Sequence, residues 1–437
     1  MPADEAATMI PHDPIEYLSS LKGIGIRLGL EPVTRLLRRL GSPQNRFKAV
    51  LVGGTNGKGS IAALTACVLT RGGYRVGLYT SPHLVDFTER IRVDGKAISG
   101  RDLRSLIGEV RDLVREDVTY FEFTTALAFL HFFRAGVDIA VLEVGLGGRL
   151  DATNVVNPEV AVISNISLEH RAYLGRRLTD IAWEKGGIIK PGGLVVTAAR
   201  QRVVVETLEA ICRKQRARIF RVGRDIRVRS CGGRTFSYFG IERNFPDLHL
   251  DLRGGHQVIN AACALGAVEL LGRRGLYVDG QSIRDGLAGC PWAGRMEVLR
   301  ERPMVVVDGA HNPAGASVLR KALEENFSFR RLILVFGVLA DKDYRRMLRR
   351  LVPLADHIIL TKPREERALQ PEIPARWVRT TGRKAEVIED SGKALERALR
   401  LAGEKDLVCI TGSLYLVGET RIMFKGSRKP ASQLSGG

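Results

Sequence analysis

Apolar positions along this chain come in short blocks separated by amphipathic segments. The block FKAVLV (47–52) is β-rich and ends in glycines, and helical spacing follows from about Lys58 to Arg71. YRVGLYT (74–80) reads as the next strand, and TTALAFLHFFRAG (124–136) as a helix closed by a glycine. DIAVLEVGLGG (138–148) and EVAVISNI (159–166) are buried-type strands, the first running into a Gly-rich turn. Strands alternating with helices predict a mostly parallel sheet covered by helices. Residues 218–252 alternate instead and contain Cys-Gly-Gly, which predicts antiparallel hairpins inserted at the sheet edge. A second strand–helix series starts near 304 with PMVVVDGA, RLILVFGVL, HIILTKP, AEVIED and DLVCITGSLYL.

These patterns divide the chain into a large mostly parallel α/β domain of P-loop type over 1–295, a linker over 296–303 and a smaller Rossmann-like α/β domain over 304–425. Residues 426–437 are expected to be a disordered, polar, Gly/Ser-rich tail. A length of 437 residues fits two domains. No apolar run approaches about 20 residues, so no membrane span is expected. The stretch MPADEAATMIPHDP has neither the basic start nor the apolar middle of a secretory signal. The six cysteines (Cys67, Cys212, Cys231, Cys263, Cys290, Cys409) form no C-x-x-C pair, which points to a reducing, cytoplasmic setting. The net charge of +19 is spread along the chain. It admits a nucleic-acid partner, anionic small substrates or a merely solvated basic surface.

The stretch VGGTNGKGS (52–60) sharpens the choice. Glycines at 53, 54, 57 and 59 let backbone N–H groups approach an anion, and the following helix adds the positive end of its dipole. Asn56, Gly57, Lys58, Gly59 and Ser60 are therefore the candidate phosphate cradle, with Lys58 reaching the β- and γ-phosphates of ATP. The common G-x-x-x-x-G-K-[ST] pattern is departed from twice: Val52 replaces the first glycine, and Gly59 stands where the metal-binding hydroxyl belongs. Oxygen and nitrogen donors at neighbouring strand ends could hold magnesium instead. Ser81, Glu143 and His170 are the candidates, with Ser81 supplying the oxygen that position 59 lacks.

In chain order, GTNGKGS (54–60), TSPHL (80–84), ERI (89–91), EVGLGGRLDATN (143–154), EH with YLG (169–175) and IAWEKGGIIKPG (181–192) are followed by HQVINAACAL (256–265), GRME (294–297), DGAHNP (308–313) and GSLYLVGE (412–419). This series resembles the folylpolyglutamate synthase/dihydrofolate synthase family of the Mur ligase group, from about residue 14 to 420. The resemblance implies an ATP-dependent amide ligase. A carboxylate of dihydropteroate or a reduced folate takes the γ-phosphate of ATP, and L-glutamate displaces phosphate from the acyl phosphate. It implies Lys58, Glu143, His170, Lys185 and His311 as catalytic residues, and Asn260, Arg295 and Asp308 as further contacts to ATP. Ser81, Glu143 and His170 match magnesium ligands, and Lys185 matches a lysine that is carbamylated and holds a second magnesium. Tyr120, Phe121 and Glu122, with Leu150, Asp151 and Ala152, match the folate side, where Phe121 could pack on a flat ring. A monomer without nucleic-acid or membrane partners is expected. Glu169 replaces the usual aspartate, Gly186 an alanine and Arg171 a common threonine; the first two changes bear on fine geometry, and nothing explains Arg171. A Mur-type ligase acting on another carboxylate and a nucleic-acid-binding NTPase are the alternatives.

Overall fold

The computed structural model describes residues 13–426. The tail expected from 426 on thus lies, from 427, outside the described residues, as does most of the N-terminal stretch read for a signal. Eight strands build the first sheet: β1 (Lys48–Gly53), β2 (Val76–Tyr79), β3 (Ile91–Val93), β4 (Lys96–Ala97), β5 (Ile139–Glu143), β6 (Val160–Ile163), β7 (Leu194–Thr197) and β8 (Arg218–Arg221). Their order is β4-β3-β2-β5-β1-β6-β7-β8. The run from β2 to β8 is parallel, and β3 and β4 add an antiparallel edge. Parallel strands are covered on both faces and so read as unbroken apolar runs; Val50, Leu51 and Val52 are fully buried.

Residues 218–252 depart from expectation. Arg218–Arg221 joins the main sheet as its parallel edge β8. The rest forms a separate antiparallel sheet of β9 (Arg227–Gly232), β10 (Thr235–Phe239) and β11 (Asn244–His249). Alternation signalled its antiparallel pairing but not which sheet it would join. Phe236, Tyr238 and Leu248 bury the inner face of that small sheet.

The helix Lys58–Arg71 leaves the end of β1 and is buried nearly all round, between the sheet and the helices Gly255–Gly272 and Gly280–Ala288. Gly286 in Gly280–Ala288 permits that close approach; a Cβ there would come 2.6 Å from the backbone of Val68.

The second sheet contains β12 (Glu297–Glu301), β13 (Met304–Asp308), β14 (Leu332–Phe336), β15 (His357–Lys362), β16 (Glu386–Asp390) and β17 (Leu407–Thr411), ordered β12-β13-β17-β14-β15-β16. All its pairings are parallel except β12 with β13. Residues 297–301, expected within a linker, are thus a strand of this sheet. The strand read in DLVCITGSLYL stops at Thr411, and a helix begins at Leu414. No helix among the described residues is long and apolar enough to cross a membrane.

Candidate active site

The C-terminal ends of β2, β5, β1 and β6 lie side by side, the position where open α/β sheets collect ligands. The loop after β1 is pinned to the chain after β6. Thr55 N donates to Asn165 O at 2.7 Å, Asn56 N to the Asn165 side chain at 3.2 Å, and Asn165 Nδ2 returns a bond to Asn56 O at 3.0 Å. Gly54 has φ +123°, and a Cβ there would overlap the Ser164 hydroxyl. Gly57, with φ +88°, is the N-cap of the next helix; it offers no side-chain cap, and the first turn holds no acid. The helix therefore begins with unsatisfied N–H groups and an uncompensated dipole. Lys58 folds back so that Nζ donates to Gly54 O (3.2 Å) and Thr55 O (3.1 Å). Ser60 is buried in the same turn.

Glu143 ends β5 and is buried, and its Oε2 accepts from Ser81 N at 3.0 Å. Burial pushes its pKa up, against the pull of Lys58, the Ser81 amide, Arg295 and Arg90. A Cβ at Gly59 would lie 3.1 Å from the Trp292 ring and 3.3 Å from Glu143 Oε2. A serine hydroxyl there would compete with the carboxylate for the same space. Glu143 therefore stands where the common loop pattern places its hydroxyl, which accounts for glycine at 59.

Lys185 is buried on the helix Leu178–Gly186 and donates to Gly54 O (2.9 Å) and Glu169 Oε1 (2.8 Å). Its pKa is lowered by burial despite Glu169. For Glu169, burial acts upward, but Lys185 and Lys58 outweigh it and hold the carboxyl at about 2. His170 is exposed at a left-handed φ of 46°, within electrostatic reach of Glu169, Lys185 and Lys58. Among the described residues no three His, Cys, Asp or Glu side chains converge as a ready-made metal cage. Magnesium needs none, because one or two carboxylates suffice when phosphate oxygens and water complete its shell. The buried carboxylate of Glu143 beside a lysine-bearing phosphate cradle fits that ion.

The second sheet contributes the opposite wall. Asp308 is buried at the end of β13, with burial raising its pKa; its carboxylate accepts from Ala310 N (2.9 Å) and Met296 N (3.0 Å). Arg295 lies in electrostatic reach of Asp308, Glu143 and His311. His311 Nδ1 is 2.9 Å from Gly309 O, and burial holds the ring's pKa near about 4. The ring is therefore neutral at pH 7, with Nδ1 donating to that carbonyl and Nε2 carrying the free lone pair. Asn312 and Asn56 exchange two side-chain hydrogen bonds, Nδ2 of Asn312 to Oδ1 of Asn56 at 2.8 Å and the reverse at 3.3 Å. The phosphate loop is thus tied to the second sheet. Asn260 packs against Gly57, where a Cβ would come 2.5 Å from its Oδ1.

The six residues matched to the folate side divide in two. Phe121 covers Gly145 and lies 5.9 Å from the Tyr79 ring, and Arg90 sits 5.4 Å above Tyr120. Glu122 instead caps its own helix by accepting from Thr119 N at 2.7 Å. Asp151 accepts from Leu146 N, Thr153 N and the Thr153 hydroxyl. These two carboxylates hold local backbone, with Ala152 buried beside them and Leu150 half-buried. Sequence reasoning missed Trp292, Asn312 and Lys342, the last facing both His170 and His311. The one available signal was the glycine at 59, which implied a bulky neighbour.

The sequence matches the Mur ligase middle domain over residues 52–268 and the Mur ligase glutamate ligase domain over 294–414. It is 35% identical over 416 residues to the dihydrofolate synthase/folylpolyglutamate synthase of Bacillus subtilis, covering 92% of this chain and 96% of that protein. It is 36% identical over 429 residues to a probable bifunctional folylpolyglutamate synthase/dihydropteroate synthase of Haloferax volcanii; the match takes in 94% of this chain but spans only 50% of that longer protein. The folylpolyglutamate synthase of Mycobacterium tuberculosis, solved in complex with ADP and AMPPCP, superposes with a TM-score of 0.88 at 36% identity, over 96% of this chain and 100% of that one.

Proposed function

The chain belongs to the folylpolyglutamate synthase/dihydrofolate synthase family of the Mur ligase superfamily, and from that premise we propose how its residues join L-glutamate to a pteroate or folate carboxylate. As an ATP-dependent amide ligase it must bring two anions, a carboxylate and a triphosphate, into contact. Lys58 exchanges the Gly54 and Thr55 carbonyls for the β- and γ-phosphates, which rest on the open first turn of its helix. Lys58 and Arg295 offset the converging negative charge. The substrate carboxylate takes the γ-phosphoryl group, releasing ADP. The glutamate amine then attacks the acyl phosphate and phosphate leaves. His311, neutral and with Nε2 free, is the group we assign to accept the ammonium proton that must depart before that attack.

Magnesium, when bound, neutralises the charge that builds on the phosphate oxygens, and Ser81, Glu143 and His170 are the residues we assign to hold it. Asn260 and Asp308 are assigned to the nucleotide, and Tyr120 and Phe121 to the folate ring. Lys185 is proposed to be carbamylated and to hold a second ion. Its lowered pKa supports this, because only the neutral amine adds carbon dioxide. A carbamate beside Glu169 would place two anions together, so the modification requires a cation between them. The chain is proposed to act as a cytoplasmic monomer on small molecules.

The observation that carries the reading is that Lys58 lies within electrostatic reach of Glu143, His170, Lys185 and His311 at once. ADP release should be measured with dihydropteroate plus L-glutamate and with tetrahydrofolate plus L-glutamate. Glutamate-dependent release with either acceptor is expected. Release with neither, or release stimulated only by DNA or RNA, overturns the assignment.

A further inference from the structure

Trp292 packs against the core beneath the first sheet, just before Gly294 and Arg295 in the chain. One face of its ring is covered by Arg92, whose guanidinium carbon is 5.8 Å from the ring centroid. Its edge abuts Gly59, the second residue of the phosphate-loop helix: a Cβ there would lie 3.1 Å from Cζ2 and 3.5 Å from Nε1. The same point is 3.3 Å from Glu143 Oε2. The indole N–H is buried and has no acceptor among the described residues. A buried donor left unmade costs about 1–3 kcal/mol, so a phenylalanine would fill this place more cheaply unless the N–H has work when the site is filled. Glu143 Oε2 accepts from the Ser81 amide but makes no hydrogen bond with the indole N–H. What else comes to this point, next to a helix N-terminus and a buried carboxylate, is anionic oxygen.

We propose that Trp292 is a nucleotide-contact residue, its indole N–H donating to an oxygen of the bound magnesium–nucleotide complex, either on a phosphate or on a water of the cation. The inference rests on the nucleotide reading of this site. It also explains the departure at position 59 from a second direction: glycine there makes room for the indole as well as for Glu143.

The test is calorimetric titration of the full chain with ADP plus magnesium and with ADP plus EDTA, in wild type, Trp292→Phe and Trp183→Phe. The last removes an exposed tryptophan lying over Lys214 and serves as a control. Trp292→Phe keeps an aromatic ring but removes the N–H together with the five-membered ring of the indole, so the emission measurement is what separates the contact from lost packing. Losing one hydrogen bond to a charged oxygen should weaken ADP–magnesium binding about tenfold or more, whereas Trp183→Phe should not change it. Weakening that persists in EDTA assigns the acceptor to a phosphate; weakening confined to magnesium assigns it to metal-bound water. In a Trp183→Phe/Trp377→Phe chain, Trp292 is the only fluorophore of its kind, and ADP–magnesium should shift its emission. Equal affinity in Trp292→Phe, or an emission indifferent to nucleotide, overturns the proposal and leaves the nucleotide site standing. Absence of ADP binding to wild type overturns both.

Discussion

The helix Lys58–Arg71 and the helix Pro313–Asn326 each leave the C-terminal end of a central strand, and their first turns face each other through the Asn56–Asn312 pair. They begin in opposite ways. Pro313–Asn326 is closed by its own sequence: the Asn312 side chain accepts from Gly315 N at 2.8 Å, and proline takes the first position, where no N–H is needed. Lys58–Arg71 has a glycine for its N-cap and a lysine at its first position. A turn that caps itself has little left for a ligand, whereas one that does not is stable only with an anion or water on it. The difference supports the proposal that the phosphates rest on the first helix, with the second turn positioning a neutral histidine.

The comparison breaks most visibly at Gly59. Gly59→Ser completes the common G-K-S pattern and, judged by pattern alone, should improve the loop. The geometry says otherwise. The added Cβ requires Trp292 and Glu143 to give way by a few tenths of an ångström, and the hydroxyl must then enter the space of the carboxylate. Turnover measured by ADP release should fall about 100- to 1,000-fold, the scale seen when one transition-state charge contact is lost. Gly59→Ala should lie in between. A serine variant with near wild-type turnover would show that Glu143 does not occupy the place of the hydroxyl.

The second turn can be tested through pH. Burial of His311 lowers its folded pKa to about 4, from about 6.5 for an unperturbed histidine. Because the folded pKa is depressed, the unfolded state binds the proton first as pH falls. The stability associated with neutral His311 is thus fully present above about pH 6.5 and is lost as pH falls to about 4. The ring is half-buried, so a loss of about 2 kcal/mol over that window is expected. His256 titrates in the same window, so the quantity to read is the difference in thermal stability between wild type and His311→Asn at pH 7, 5.5 and 4.5. That difference should shift in favour of the variant as pH falls; a constant difference would mean that the folded ring takes up its proton as the unfolded chain does, with no depression by burial.

What could be read in advance follows the same division. The loop, the helix from Lys58 to Arg71 and the candidate at Glu143 were legible because glycines, a lysine and a strand-end acid are local signals. The second sheet was legible from its apolar runs, but β12 was hidden: Glu-Val-Leu-Arg-Glu is half-exposed and charged and resembles a linker until β13 pairs with it. The sheet joined by Arg218–Arg221 was hidden because edge strands carry polar residues whichever sheet they close. Trp292 and Asn312 are distant in sequence from Gly59 and Asn56, and no periodicity reports a partner brought near by folding. Glu122 and Asp151 look like substrate acids in sequence but are helix caps in space.

The smallest expected effect concerns the joint between the turns, and it separates two meanings of a bridge. Asn312 does two things: it caps its own helix and bonds Asn56. Asn56 bonds Asn312 from the phosphate loop with no cap of its own to lose. Asn312→Ala should therefore destabilise by about 1 kcal/mol from the lost cap and by a further part from the lost pair. Asn56→Ala should cost only the pair. In a double-mutant cycle on thermal stability the two changes should fall short of additivity by about 0.5–1 kcal/mol, the value of the shared bonds. The same cycle on the KM for ATP gives the functional half of the result. If the pair holds the loop in its nucleotide-ready shape, Asn56→Ala raises that KM and Asn312→Ala adds little once Asn56 is gone. Strict additivity in both measurements would mean that the turns merely touch, and that the open helix needs no help from the capped one.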